Sequence, residues 1–127
     1  MKSRVLVIED TEDNRRILRR LLESEGYECL EAIDGAAGLA AAIKERPDLI
    51  ILDIQLPIID GYEVARQLKA NRELSSTPII AVTSYALAGD EEKTSDAGCD
   101  GYLAKPFDPY ELLALIQQFL PASPQNA

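Results

Sequence analysis

The sequence predicts an α/β fold, a parallel sheet of five strands alternating with five helices and covered on both faces. Three observations predict it. Apolar, β-branched runs recur at 4–9, 47–57 and 78–83, each bounded by turn signals, the pattern of strands buried on both faces. Helical stretches of mixed polarity separate these runs, which implies parallel strands joined by crossover helices. The 127 residues suit one domain with one sizeable core and leave no room for a barrel.

Taken in order, residues 4–9 form a first buried strand ending in the adjacent acids Glu9 and Asp10. Thr11 caps a helix running to about Glu25, with Ile17, Leu18, Leu21 and Leu22 on its core face. Arg15, Arg16, Arg19 and Arg20 fill its solvated face, and Gly26 ends it. Residues 27–33 are a less apolar strand, hence one at an edge. Asp34-Gly35 opens an Ala- and Leu-rich helix that runs to Arg46 and is broken by Pro47. Asp48 starts the third strand, Leu49 to Leu52 are continuously apolar, and Asp53 stands at its end.

Asp60 and Glu63 have the spacing of a capping box, opening a helix to about Leu74 with Val64, Ala65 and Leu68 inward. Residues 78–83 are a fourth buried strand ending in the Thr83 hydroxyl. Residues 87–97 are helical but poor in apolar anchors, and Gly98 stops them. Residues 101–105 are a short fifth strand ending in Lys105-Pro106. Asp108, Pro109 and Glu111 are a strong helix start, followed by a broad apolar surface to Leu120. The domain is expected to span 1–120, with 121–127 a frayed tail.

Composition narrows the function. Thirteen Lys plus Arg against 22 Asp plus Glu give a net charge of −9, which argues against nucleic acid and anionic membranes. No apolar run approaches a transmembrane length and no signal-peptide pattern is present, so a cytoplasmic protein is expected. The chain has no His, which excludes His-based catalysis and a phosphohistidine relay on the chain itself. Cys29 and Cys99 are expected to be buried or half-buried free thiols.

Ligands of open α/β sheets bind outside the carboxyl ends of the strands. There the sequence places Glu9, Asp10, Asp53, Thr83 and Lys105. Clustered carboxylates with no His or Cys nearby suit a hard cation, Mg2+ or Mn2+. The amine and hydroxyl suit phosphate oxygens, and Asp53 at the centre can act as a carboxylate nucleophile toward phosphorus.

At this point the sequence resembles the response-regulator receiver domains of two-component signalling, over about residues 3–120. The resemblance rests on Glu9-Asp10, on Asp53 with Pro57 and Gly61, on Thr83-Ser84-Tyr85-Ala86, and on Tyr102 with Lys105-Pro106. It implies a flavodoxin-like, doubly wound five-stranded parallel sheet of order 2-1-3-4-5, an order carried over from the chemotaxis receiver. It further implies Asp53 as phosphoacceptor. Mg2+ would be held by Asp10, Asp53 and the Gln55 backbone carbonyl, with Glu9 acting through water. Lys105 and Thr83 would contact the phosphoryl group, Thr83 and Tyr102 would form the switch, and Lys105-Pro106 would be cis. Gln55 and Tyr85 match positions that tune dephosphorylation.

Ile17 is core by periodicity, yet it matches a docking position; with Asn14, Pro106 and Phe107 it is expected to form a rim that meets the phosphodonor. The implied partners are a histidine kinase or phosphotransfer protein and a downstream protein target. The target would bind the face made by the fourth helix, fifth strand and last helix. The protein would be a monomer or a weak phosphorylation-dependent dimer, with no enzymatic activity beyond self-phosphorylation from a donor and autodephosphorylation.

Other readings fare less well. An aspartate-based phosphohydrolase carries an acid two residues beyond its nucleophile, where this chain has Gln55. A flavin or nucleotide module needs a Gly- or Ser/Thr-rich loop after the first strand, where 9–13 read Glu-Asp-Thr-Glu-Asp. A scaffold that never accepts phosphate would not need the full set of acids, hydroxyl and amine. Stand-alone receivers of the cell-cycle or chemotaxis type are nearest in form, the former also in the wording at Gly89-Asp90-Glu91-Glu92. Met1 and the short tail favour a complete chain over a receiver excised from a hybrid kinase.

Overall fold

The computed structural model describes residues 2–84 and 89–120. In chain order the elements are β1 (Arg4–Ile8), α1 (Glu12–Ser24), β2 (Glu28–Ala32), α2 (Gly35–Glu45), β3 (Leu49–Asp53), α3 (Gly61–Ala70), β4 (Ile79–Thr83), α4 (Asp90–Asp96), β5 (Gly101–Ala104) and α5 (Pro109–Phe119). The strands form one five-stranded sheet in the order β2-β1-β3-β4-β5, parallel at every pairing. The α/β class and the edge position of β2 are as the sequence predicts, and the strand order is the one the resemblance to receiver domains implies.

Side chains alternate across the sheet because successive strand residues point to opposite faces. Leu6, Ile8, Ile50, Leu52, Ile79 and Ala81 join one core with Ala42 of α2 and Val64, Ala65 and Leu68 of α3. Val5, Val7, Leu49, Ile51, Ile80 and Val82 join the other, with Leu18 and Leu22 of α1 and Leu112 and Ile116 of α5. All five residues of β3 are buried, and all five of β4; each such Leu or Ile contributes about 1.5–3 kcal/mol. Helix α1 thus leaves β1 on one face and α3 leaves β3 on the other, which opens a crevice at the carboxyl ends of β1 and β3.

Local signals account for most element ends. Asp34 accepts from the Ala37 amide and Asp60 from the Glu63 amide. Asp108 closes a full capping box with Glu111. Asp48 accepts from the Arg4 amide at 2.7 Å, tying the starts of β1 and β3. Gly26 has φ 87°, and the Gly26 and Tyr27 amides reach back to Glu23 and Leu22 at 3.1 and 3.0 Å, closing α1 in a Schellman turn. Cys29 and Cys99 are half-buried and free, with burial pushing both thiols up to about 12.

Several local expectations are corrected. Thr11 occupies the cap position of α1 but its side chain makes no cap bond; its amide instead donates to Glu9 Oε2 at 3.1 Å. Glu63 does not return a bond to Asp60, because its carboxylate is taken by Arg66 and Gln67. Helix α3 stops at Ala70, and Leu74 is buried from the turns that follow. Arg15 is not on a solvated face: it donates to the Glu9 carbonyl at 2.9 Å and pairs with Glu31 at 3.4 Å. Helix α4 is described from Asp90; the expected start at Leu87 lies outside the described residues, as do Tyr85 and the 121–127 tail. Among the described residues no helix is long and apolar enough to cross a membrane.

Candidate functional site

The strand ladder sets the site. Beyond the strands, the Glu9 amide donates to the Ala32 carbonyl at 3.1 Å, Ile54 to Val82 at 2.9 Å and Lys105 to Thr83 at 2.7 Å. Glu9, Asp53, Thr83 and Lys105 are thereby fixed on one edge by backbone bonds. Glu9, Asp53 and Thr83 are buried and Asp10 is exposed. One carboxylate oxygen from each of Glu9, Asp10 and Asp53 lies within 4.8 Å of the others. Lys105 Nζ sits 2.8 Å from Glu9 Oε1 and 3.6 Å from Asp53 Oδ2.

Three carboxylates share this one ammonium, and the charges respond. Burial, with Glu9 close by, pushes Asp53 up to about 6 against the opposing Gln55 amide. Burial and then Glu9 raise Asp10. Burial also works to raise Glu9, but the Lys105 hydrogen bond and the Thr11 amide outweigh it and leave Glu9 below its ordinary value. Burial would lower Lys105, yet its bonds to Glu9 and attraction to Asp53 hold it raised. A cluster of this kind favours a cation among its oxygens, and a donor set of oxygens alone fits a hard divalent ion. The residues present therefore fit Mg2+.

Gln55 lies against both halves of the site. Its amide donates to Asp53 Oδ1 at 2.9 Å, while its side chain donates to Thr83 Oγ1 and accepts from the Ser84 amide at 2.8 Å. The sequence assigned Gln55 a backbone role at the metal and a tuning position but not this bridge, which joins residues 28 apart; only the alignment of strand ends could have suggested it. Gly61 makes the turn after β3 possible: its amide donates to Ile54 at 3.0 Å, and a Cβ there would meet Ile54 Cα at 2.5 Å and the Asp53 carbonyl at 2.8 Å.

Asn14, Ile17, Pro106 and Phe107 line one groove of about 520 Å³, with Glu9 and Lys105 at its polar end. Ile17 is 62% exposed, which corrects its reading as core: Leu18 and Leu22 take the buried positions of α1 and Ile17 stands on the groove wall. The Lys105-Pro106 bond is cis. Tyr102 is half-buried and its hydroxyl donates to Asp90 Oδ2 at 2.8 Å, a partner the sequence did not single out.

Comparison with known proteins places this arrangement. Residues 5–117 match the response regulator receiver domain. The polar-differentiation response regulator DivK of Brucella anthropi is 41% identical over 120 residues, covering 94% of this chain and 98% of that protein. The chemotaxis protein CheY4 of Vibrio cholerae superposes with a TM-score of 0.89 at 32% identity, over 94% of this chain and 100% of that one. The receiver domain of a sensor histidine kinase from Pseudomonas aeruginosa, with a magnesium ion coordinated in its active-site cleft, gives 0.87 at 36% identity, over 94% and 98%. The chain belongs to the response regulator receiver domain family. The general function of that family is phospho-signalling within two-component systems, by modules that are not enzymes in the ordinary sense.

Proposed function

We propose that this protein is a phosphorylation-dependent signalling switch that accepts a phosphoryl group on Asp53 from a histidine kinase or phosphotransfer protein. The observation that carries the reading is the position of Asp53, buried at the end of β3 with Lys105 Nζ 3.6 Å away and Glu9 and Asp10 beside it. An Asp53 carboxylate oxygen attacks phosphorus and forms the new O–P bond. The N–P bond to the donor imidazole breaks, and that nitrogen keeps the electron pair and takes a proton from solvent. Lys105 and the Thr83 hydroxyl steady the phosphoryl oxygens.

Asp10, Asp53 and the Gln55 backbone carbonyl would hold Mg2+, with Glu9 acting through water. The magnesium in the Pseudomonas receiver supports this assignment. When bound, the ion supplies charge neutralisation for the carboxylates and the incoming phosphoryl group. Loss of the group follows when water attacks phosphorus and the Asp53 carboxylate leaves; Gln55 and Tyr85 tune that step. Gln55, lacking an acid function, leaves the chain without the second carboxyl of a phosphohydrolase.

Thr83 and Tyr102 relay the change to a partner-binding face made by α4, β5 and α5. The groove holding Asn14, Ile17, Pro106 and Phe107 receives the donor. The protein acts in the cytoplasm as a monomer or weak phosphorylation-dependent dimer, through a domain of residues 1–120 followed by a tail. A receiver belonging to a hybrid kinase is the second reading, supported by the likeness to the Pseudomonas kinase receiver; the match across 98% of the Brucella DivK relative supports the first.

Incubation with Mg2+ and acetyl phosphate tests the reading. An intact-mass gain of one phosphoryl group is expected in wild type, sensitive to hydroxylamine and absent from Asp53→Asn. An adduct that persists in Asp53→Asn would exclude Asp53 as the acceptor.

A further inference from the structure

Two tyrosines from different elements share the carboxylate of Asp90, the first residue of α4. Tyr102 of β5 donates to Oδ2 at 2.8 Å, and Tyr62 of α3 donates to Oδ1. Lys93 Nζ lies 4.7 Å from the centroid of the Tyr62 ring, a cation–π contact that adds α4 to α3. The helix itself reads DEEKTSD. It has no apolar side chain, and only Thr94 within it is buried, with Ala97 just beyond. Hydrophobic burial therefore fixes α4 weakly, and the Asp90 bonds carry much of its placement.

We propose that Asp90 is a positioning residue of the switch, holding the Tyr102 hydroxyl, α4 and α3 together in the resting arrangement, so that its bond to Tyr102 must break for the switch to turn. The proposal rests on the reading of Asp53 as phosphoacceptor and Tyr102 as the moving part. Burial and then the Asp90 bond raise both tyrosine hydroxyls, Tyr102 to about 12, so both remain donors at neutral pH. A hydroxyl donated to a carboxylate is stronger than one between neutral groups. Whatever favours the resting state by such a bond also lowers the population competent to accept phosphate.

The test compares initial rates of adduct formation with acetyl phosphate and Mg2+. Asp90→Ala is expected to accept phosphate about tenfold faster, the equivalent of one charge-assisted hydrogen bond. Asp90→Asn, which keeps an acceptor oxygen and serves if the alanine variant does not fold, falls between. Tyr102→Phe in the Asp90→Ala background changes the rate no further, because the bond is already gone. Glu91→Gln, exposed on the same turn of α4, alters charge alone and leaves the rate at the wild-type value.

A lowered melting temperature in Asp90→Ala with an unchanged or slower rate overturns the proposal, since a merely structural residue gives that result. If wild type forms no adduct, the Asp53 reading fails. The Tyr102 ring NMR signals, assigned with Tyr102→Phe, then decide separately: a shift in Asp90→Ala upholds the positioning role and unchanged signals overturn it.

Discussion

The carboxyl edge of the sheet and helix α4 are held in place by different forces. Around Asp53, two strands with every residue buried and an extended backbone ladder fix the acids and the amine. Around Asp90 there is a seven-residue helix with one buried side chain, held by hydroxyl-to-carboxylate bonds. Apolar packing is costly to disturb, whereas a polar bond exchanged for water costs little net. The contrast teaches where each task can sit. Chemistry that needs fixed distances stands on the packed strands, and a segment meant to change position stands on bonds that can be traded. Elements of low local stability are the ones available for switching.

The largest effect that would sharpen this contrast comes from the packed side. Leu52 is fully buried beside Asp53 in β3, and Leu52→Ala should cost about 3–4 kcal/mol in urea unfolding. Thr94→Ala, in α4, should cost only about 1 kcal/mol. Equal losses would erase the distinction between the two regions.

Gly61→Ala comes next. The added Cβ would meet backbone atoms, Ile54 Cα at 2.5 Å and the Asp53 carbonyl at 2.8 Å, which cannot swing aside. A loss of about 2–3 kcal/mol is expected, together with weaker Mg2+ binding by titration. Unchanged stability would show that the turn after β3 is softer than the ladder implies.

Asp53 itself gives a pH signature in metal-free protein. Its carboxyl is pushed from an ordinary 3.8 to about 6 in the folded chain, chiefly by burial and Glu9. The folded state therefore keeps this proton after the unfolded state has released it. The Asp53 contribution makes stability fall as pH rises from about 4 to 6 and then level off. Asp53→Asn should remove that fall and be about 2–3 kcal/mol more stable than wild type at neutral pH, read from urea unfolding across the range. A variant less stable than wild type at neutral pH would reverse the sign.

The smallest expected effect concerns Ile58, which is 99% exposed with φ 69°, while the Ile59 amide reaches the Pro57 carbonyl at 2.8 Å. A β-branched residue in a positive-φ γ-turn is strained. Ile58→Gly should raise stability by about 1 kcal/mol, seen as a higher melting temperature; a lower one would mean the side chain is held by contacts.

Sequence made the strands legible because their signal is local: apolar runs at 49–52 and 79–82 between turn residues. Asp34, Asp60 and Asp108 were legible as caps for the same reason, since their partners lie within three residues. The strand-end acids, hydroxyl and amine followed from the alternation of strands and helices. Ile17 was misread because periodicity shows which side of a helix is apolar, but not how far its neighbours cover it. Arg15 was misread because its partners, Glu9 and Glu31, come from other elements. The Asp90 cluster joins residues 28 and 12 apart, and nothing periodic marks such a meeting. The strain at Ile58 was invisible because backbone dihedrals leave no compositional trace there.

The central claim is that one particular carboxylate becomes the acyl phosphate, and locating it chemically is the most direct test. Protein treated with acetyl phosphate and Mg2+ can be reduced with borohydride, which converts an aspartyl phosphate to homoserine, and then digested and sequenced by mass spectrometry. The account predicts homoserine at position 53 alone and none without Mg2+. Homoserine at Asp10 or at another acid, with Asp53 intact, would contradict it.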